Sequence, residues 1–331
     1  MSGKAFVIED DRGRRREVGI EEVERLSAQG DPVGHYALGM AYLYGRERKQ
    51  DVERGFSLLE RAAGTGNPDA KALLLRLYME DMYAGLTMDR AVLYARDAAA
   101  AGIAAGQLYY GIALLDGGQV ARDYDKAREM FEAAAAQGCP EAVNSLAYMH
   151  MEGLGVARDP ARAFSLFREA AEAGNLNAEY QLGACYEFGE GCDRDPREAA
   201  AWYGKAAEAG DPLAMERLGL LHRGGEGALE EDPEESFEWF VKAANRGVES
   251  AMHMIGLSYL DGYGTERDEG EARKWLALAA QAGYPPSVEM MGRMGGKRGA
   301  GDTGPRSRED RSRVRPGIRS RETNPTRTVI I

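Results

Sequence analysis

Small and apolar residues recur along most of the chain at a step of 36 residues, with a single step of 37. The glycines that open successive copies are Gly30, Gly66, Gly102, Gly138, Gly174, Gly210, Gly247 and Gly283. Within each copy, positions 5, 9, 13 and 16 are spaced by about one helical turn and predict the buried stripe of a first helix. A fixed period in the range of roughly 20–50 residues is typical of tandem helical repeats, so the pattern predicts a repeat array.

A second helix is predicted after a glycine-containing turn in each copy. Aspartate occupies its expected N-cap position in six copies, and proline follows three of these aspartates at the favoured first helical position. The capping residues are Asp51, Asp123, Asp159, Asp195, Asp232 and Asp268. The helix then carries a bulky pair, such as Trp202-Tyr203, and a double alanine, such as Ala206-Ala207. Large residues facing small ones allow helices to interdigitate, and each copy needs its neighbours to bury both faces.

Position 10 of the first helix is glycine in five copies, for example at Gly183. Glycine inside a helix costs about 1 kcal/mol relative to alanine, so its recurrence predicts that a neighbouring helix approaches closely there. Copy two departs from the pattern, because Leu75 replaces this glycine, Asp81 the turn glycine and Thr87 the capping aspartate. The turn of copy two is therefore predicted to have a different shape.

The full motif A-x-x-x-L-G-x-x-Y-x-x-G-x-G, followed by aspartate, alanine, an aromatic pair and A-A-x-x-G, is present from Ala178 to Gly210. Over Gly30 to Gly283 the chain resembles the Sel-one-like repeat family, a relative of the tetratricopeptide repeats. The resemblance implies an all-α fold, a right-handed α-solenoid (α/α superhelix) of about seven 36-residue two-helix repeats. It also implies an adaptor in signalling, secretion or quality-control complexes, although some relatives are described as β-lactamase-like.

The two ends of the chain are predicted to differ from the repeats. Residues 1–29 are expected to form an N-terminal arm and a half-repeat cap, and residues 30–283 hold the repeats. Residues 284–294 are expected to close the stack as a second half-repeat. Residues 295–331 are rich in arginine, glycine, serine and proline. Such a composition cannot bury enough apolar surface to become ordered, so a disordered basic tail is predicted.

Charge is divided unevenly along the chain. The net charge is −12, while the residues from Arg293 onward carry 11 basic and 4 acidic side chains, so residues 1–292 carry −19. Three interpretations remain open for the tail. It makes no lasting contact and the acidic body is simply solvated, it docks on the acidic body, or it binds nucleic acid or an anionic membrane surface.

Two features that the sequence lacks, a membrane-spanning run and a signal peptide, bear on the cellular compartment of the protein. It contains no apolar run near the roughly 20 residues that span a bilayer, and its first residues are polar and charged where a signal peptide is apolar. We therefore expect a cytoplasmic protein. Cys185 and Cys192 are close enough in sequence for a bridge to be conceivable, but two ordinary thiols are the favoured interpretation.

No combination of residue types predicts catalysis. The four histidines lie in different copies, and His150 and His222 replace the usual tyrosine at position 13, as packed aromatic substitutes would. We predict no catalytic residue, metal site, cofactor or evident small-molecule substrate. A β-lactamase-like or cell-wall-related enzyme stays as the alternative implied by the resemblance, but it would need a nucleophile and an export signal.

The resemblance implies that first helices line the concave side of the array, where residues off the buried stripe would face a partner. Aromatic residues and methionine commonly anchor such interfaces. The candidate partner-binding residues are Tyr36, Met40, Tyr44, Tyr109, Ile112, Tyr148, Glu152, Tyr180, Glu187, Phe188, Met254 and Leu257. Filling of gaps between helices is the alternative for each of them. The sequence thus predicts a scaffold or adaptor for a protein or peptide, with a basic partner expected for an acidic body.

Overall fold

A computed structural model of the 331-residue chain describes residues 6–9, 15–80, 82–224 and 231–296. The described part begins with a two-stranded antiparallel sheet of β1 (Phe6–Glu9) and β2 (Arg15–Val18), and α-helices follow. The chain divides into two compact units, residues 1–158 and 159–331.

The first unit contains the hairpin and eight helices among its described residues. They are α1 (Ile20–Ala28), α2 (Pro32–Tyr44), α3 (Val52–Gly64), α4 (Pro68–Met79), α5 (Met88–Ala100), α6 (Ala104–Asp116), α7 (Tyr124–Ala135) and α8 (Pro140–Glu152). From α2 onward, even-numbered helices are the first helices of the repeats and odd-numbered ones are the second helices. Within this unit, each helix from α1 to α7 packs against the next one in the chain.

The second unit continues the same alternation. Its helices are α9 (Pro160–Glu172), α10 (Leu176–Phe188), α11 (Pro196–Glu208), α12 (Pro212–Gly224), α13 (Pro233–Ala244), α14 (Glu249–Asp261), α15 (Glu269–Gln281) and α16 (Pro285–Gly296). α16 is the first helix of an eighth copy, and the described residues contain no second helix after it. Throughout the described ranges, no helix is long and apolar enough to cross a membrane.

The predicted N-caps of the second helices are confirmed. The carboxylate of Asp195 accepts hydrogen bonds from the backbone N–H groups of Arg197 and Glu198 at 3.0 and 3.2 Å, and Pro196 follows it at the start of α11. The other capping aspartates accept equivalent bonds at α3, α7, α9, α13 and α15. Each side chain satisfies backbone donors that the first turn of a helix leaves without partners.

The predicted close approach at position 10 is also confirmed. A Cβ atom added at Gly183 would lie 2.7 Å from the ring of Tyr203, and one added at Gly219 would lie 2.8 Å from the ring of Phe240. Both rings are fully buried. The glycines therefore make room for the large residue of the second helix in the same repeat.

Copy two forms a helix pair despite its departures from the pattern. Glu80, the C-cap of α4, has φ −82°, where most first helices end on a left-handed glycine such as Gly117. The ring of Tyr83 fills this turn, buried and stacked on Phe56 with 4.5 Å between centroids. Thr87 replaces aspartate as the N-cap of α5. The prediction of a different turn is thus confirmed.

The N-terminal arm differs from the sequence expectation, because it contains the hairpin. Ile8 and Val18 are buried against α1 and α2, with Val23 completely buried in the same cluster. The all-α class therefore holds for the repeats, with a small sheet added at this end. The predicted tail, residues 295–331, lies outside the described residues except for Gly295 and Gly296, which end α16.

Candidate protein-binding surface

The candidate residues lie on first helices but differ in exposure. Tyr44, Glu152 and Phe188 are exposed, whereas Glu187 is buried. The other eight are half-buried: Tyr36, Met40, Tyr109, Ile112, Tyr148, Tyr180, Met254 and Leu257. Half-burial leaves part of each side chain accessible while neighbouring helices hold the rest.

In the first unit, one basic residue influences tyrosines on two different first helices. Burial raises the pKa of Tyr109 on α6 to about 12, assisted by the carboxylates of Glu80 and Glu141 and opposed by Arg76. Burial also raises the pKa of Tyr36 on α2, and Arg76 again opposes the shift. The positive charge of Arg76 on α4 therefore acts on both phenols.

The next first helix, α8, adds a tyrosine and an unpaired amide. Burial raises the pKa of the half-buried Tyr148, and the nearby carboxylate of Glu152 contributes. One turn earlier, Asn144 is buried, and its Oδ1 atom has no hydrogen-bond partner in the described part of the chain. A buried acceptor without a donor costs roughly 1–3 kcal/mol. We call Tyr36, Arg76, Tyr109 and Tyr148 the first-helix surface of the first unit.

In the second unit, Glu187 is the centre of a buried polar network. Its Oε2 atom accepts hydrogen bonds from the Tyr203 hydroxyl at 2.8 Å and from Nε of Arg217 at 3.0 Å, and its Oε1 atom binds Nη2 of Arg217. Burial alone would lower the pKa of Arg217, but the hydrogen bonds and charge of Glu187 outweigh it and raise the pKa. The expectation that Glu187 faces a partner is corrected here, because the next repeat occupies its carboxylate.

The network fixes Arg217 among aromatic rings. Its guanidinium lies 5.2 Å from the ring centroid of the exposed Phe188, and Tyr180 packs on Tyr203 with 5.4 Å between centroids. Because Glu187 binds two of its nitrogens, Arg217 loses little further freedom when it binds a ligand. We call Tyr180, Phe188 and Arg217 the first-helix surface of the second unit.

Sequence reasoning missed Arg76 and Arg217, since only apolar and acidic residues were sought on the first helices. Both occupy off-stripe positions, 11 in copy two and 8 in copy six. A search for any long side chain at those positions would have found them.

The helices at each end of the array are held by a histidine–serine pair. Nδ1 of His253 on α14 lies 2.8 Å from Oγ of Ser287 on α16, and burial lowers the pKa of His253. His35 on α2 makes the same contact with Ser27 on α1, also at 2.8 Å. Met254 and Leu257 remain half-buried beside His253 on α14.

The three cysteines are free thiols. Cys185 is buried, which raises its pKa to about 12, and Sγ of Cys192 donates to the backbone oxygen of Cys185 at 3.5 Å. Burial raises the pKa of Cys139 to about 11. Across the described ranges, no group of three or more His, Cys, Asp or Glu side chains is arranged to hold a metal ion.

This architecture defines an α-solenoid of tandem two-helix repeats. The model of the Sel1 repeat family matches six segments, residues 32–67, 104–139, 140–175, 176–211, 212–248 and 249–284. The chain belongs to the Sel1 repeat family. The unmatched segment 68–103 is copy two, which lacks the family glycines and aspartate but still forms α4 and α5.

Solved structures with the same fold support this assignment. A protective antigen of uropathogenic Escherichia coli with an SLR fold is 29% identical over 85% of this chain, with a TM-score of 0.65. The present chain covers 60% of the length of that protein. A Sel1 repeat protein from Oxalobacter formigenes is 30% identical, with a TM-score of 0.63, and the match covers 83% of this chain and 80% of that one. A comparison with curated proteins gave no match.

Proposed function

We propose that the chain is a scaffold that binds a segment of another protein along its first helices. Sel1 repeats generally serve protein–protein interaction. The observation that carries the proposal is the row of half-buried tyrosines at Tyr36, Tyr109 and Tyr148. Tyrosine is enriched among residues that dominate binding energy, because it buries a large area and can still donate a hydrogen bond.

The polar groups of this surface favour a peptide backbone as ligand. The side chain of Arg76 is 51% exposed, and its ion pair with Glu80 on the same helix is long, at 3.9 Å. An extended or helical segment supplies backbone C=O groups, which the guanidinium of Arg76 can bind.

The charges at one edge favour basic side chains in the partner. Glu80, Asp116 and Glu152 occupy the last position or the C-cap of three successive first helices, and all three are exposed. A helix C-terminus also carries partial negative charge from its free carbonyl groups. Lysine or arginine in the bound segment would complement this edge and accelerate association at low ionic strength.

The test is affinity capture from an extract of the native host with the full chain as bait, quantified by mass spectrometry. The triple variant Tyr36→Ala, Tyr109→Ala, Tyr148→Ala removes the row. The matched control, Val52→Ala, Met82→Ala, Leu93→Ala, removes three exposed apolar residues outside the first helices. We expect a protein that is captured by the wild type and the control to fall at least about tenfold with the tyrosine variant. Equal recovery by all three folded baits would refute the proposal.

A further inference from the structure

A cavity of about 520 Å³ lies beside the hairpin in the first unit. One wall consists of Phe6, Val7 and Ile8, three consecutive residues of β1. Successive side chains of a strand point to opposite faces of the sheet. Accordingly, Ile8 is 6% exposed and Val7 is 63% exposed. The cavity touches both of these residues, so it is not confined to one face of the sheet.

The edge of β1 away from β2 has no strand partner among the described residues. β1 pairs with β2 on its other side, with Phe6 opposite Val18 and Glu9 opposite Arg15. Within the described part of the chain, Phe6–Glu9 make no further backbone hydrogen bonds. An unpaired strand edge presents a row of N–H and C=O groups that can accept another strand.

The cavity exists because the first repeat lacks a full second helix before it. In inner repeats, the turn glycine packs on the first residue of the preceding second helix. A Cβ at Gly191 would lie 2.0 Å from the carbonyl oxygen of Pro160, and one at Gly264 would lie 1.9 Å from that of Pro233. Copy one has Glu47 at this position, the only non-glycine residue with positive φ (57°) in the described ranges.

The preceding helix explains why a side chain is tolerated at Glu47. α1 has 9 residues, whereas α9 has 13, and both end two residues before the glycine that opens the next copy. The missing residues are those of the first turn, and β2 takes their place in the chain. The cavity thus occupies a position that inner repeats fill with a helix N-terminus.

The wall opposite β1 is an apolar stripe of α2. Val33, Tyr36 and Met40 line it at helical spacing. At the rim, the guanidinium of Arg46 lies 5.8 Å from the ring centroid of Tyr44, and no carboxylate pairs with it in the described part of the chain. By contrast, Arg48 in the same turn pairs with Glu24 at 2.9 Å. The site therefore offers a strand edge, an apolar groove and a cation that has no carboxylate partner among the described residues.

We propose that this groove binds an extended segment of a partner protein, which adds to β1 as a third strand. Alternate apolar side chains of the segment enter the groove, and an acidic side chain near one end pairs with Arg46. The site goes beyond the proposed function because it is built on the hairpin, although Tyr36 belongs to both surfaces. This groove favours an acidic residue in the bound segment, whereas the acidic edge of the first-helix surface favours basic residues.

The test is selection of random octapeptides displayed on phage against the immobilised full chain. We expect enriched peptides to alternate apolar residues and to carry aspartate or glutamate near one end. Selection against Arg46→Glu should replace the acidic residue with lysine or arginine, whereas the matched control Lys49→Glu, an exposed change in the same turn, should select the wild-type sequences. Failure to enrich any alternating sequence, or identical sequences from Arg46→Glu, would overturn the proposal.

A second measurement tests strand addition with the full chain and the best peptide. Fluorescence anisotropy compares that peptide with an analogue whose alternate backbone amides are N-methylated, which removes the donors that strand pairing needs. We expect affinity to fall at least about tenfold, and binding within twofold would contradict strand addition. The variant Tyr109→Ala, Tyr148→Ala should bind the peptide as tightly as the wild type does. A failure of the groove proposal can therefore be distinguished from a failure of the proposed binding along the first helices.

Discussion

Replacing Arg217 by leucine should destabilise the second unit, because it leaves the Glu187 carboxylate buried without its cation. The Glu187 side chain is 9% exposed and that of Arg217 is 24% exposed. Removing one partner of a buried ion pair costs about 3–5 kcal/mol. The Tyr203 hydroxyl still donates to Oε2 at 2.8 Å, and Arg217 is partly solvated, so we expect a loss of about 2–4 kcal/mol.

A double-mutant cycle separates the ion pair from the loss of packing. The free energy of unfolding would be measured by urea titration, followed by circular dichroism, for Arg217→Leu, Glu187→Leu and the double variant. The double variant should be at least about 1 kcal/mol more stable than Arg217→Leu, because it no longer buries an unpaired charge. The control Lys274→Met breaks an exposed pair with Glu271 and should change stability by less than about 0.5 kcal/mol.

The reasoning would be refuted if Arg217→Leu lost less than about 1 kcal/mol, or if the double variant were no more stable than the single one.

Three further changes test the packing, capping and titration of the repeats. Gly183→Ala should lower the free energy of unfolding by about 1–3 kcal/mol, because it pushes a Cβ into the ring of Tyr203. Gly204→Ala lies on α11 with open space around it and should raise the free energy of unfolding by about 0.5–1 kcal/mol. Thermal unfolding would compare the two variants. Asp195→Ala should cost about 1 kcal/mol by removing the N-cap of α11, and Asp195→Asn should restore most of it in the same assay. Burial lowers the pKa of His253 below its ordinary value of 6.5, so on acidification the unfolded chain takes up this proton at a higher pH than the folded chain does. Stability should therefore fall as the pH drops below about 6.5. His253→Gln should flatten this part of a stability–pH curve.

Local signals within one repeat could be predicted from the sequence. Asp195 was expected to cap α11 and does so, because capping needs only a short acceptor next to the first turn. The glycine at position 10 was interpreted correctly at Gly183, since the bulky partner Tyr203 has a fixed place in the same copy. Both features depend on residues about 20 or fewer positions apart, and the repeat presents them several times.

Features that join different elements could not be predicted in the same way. Glu187 was expected to face a partner, but Arg217, 30 residues further along the chain, binds it. The hairpin was missed because its two strands of four residues give little alternation, and half of their side chains are charged. In each case a single helix or strand carries no signal, because the partner lies in a different element.

The central claim is that a protein partner binds along the first helices, and photo-crosslinking in living cells tests it most directly. A photoreactive phenylalanine analogue would replace Tyr109 on the first helix α6 or, as the control, Leu93 on the second helix α5, which is 48% exposed. We predict a discrete protein adduct from position 109 that is absent from position 93. Adducts of equal yield and identity at both positions, or an adduct at position 93 alone, would contradict the account.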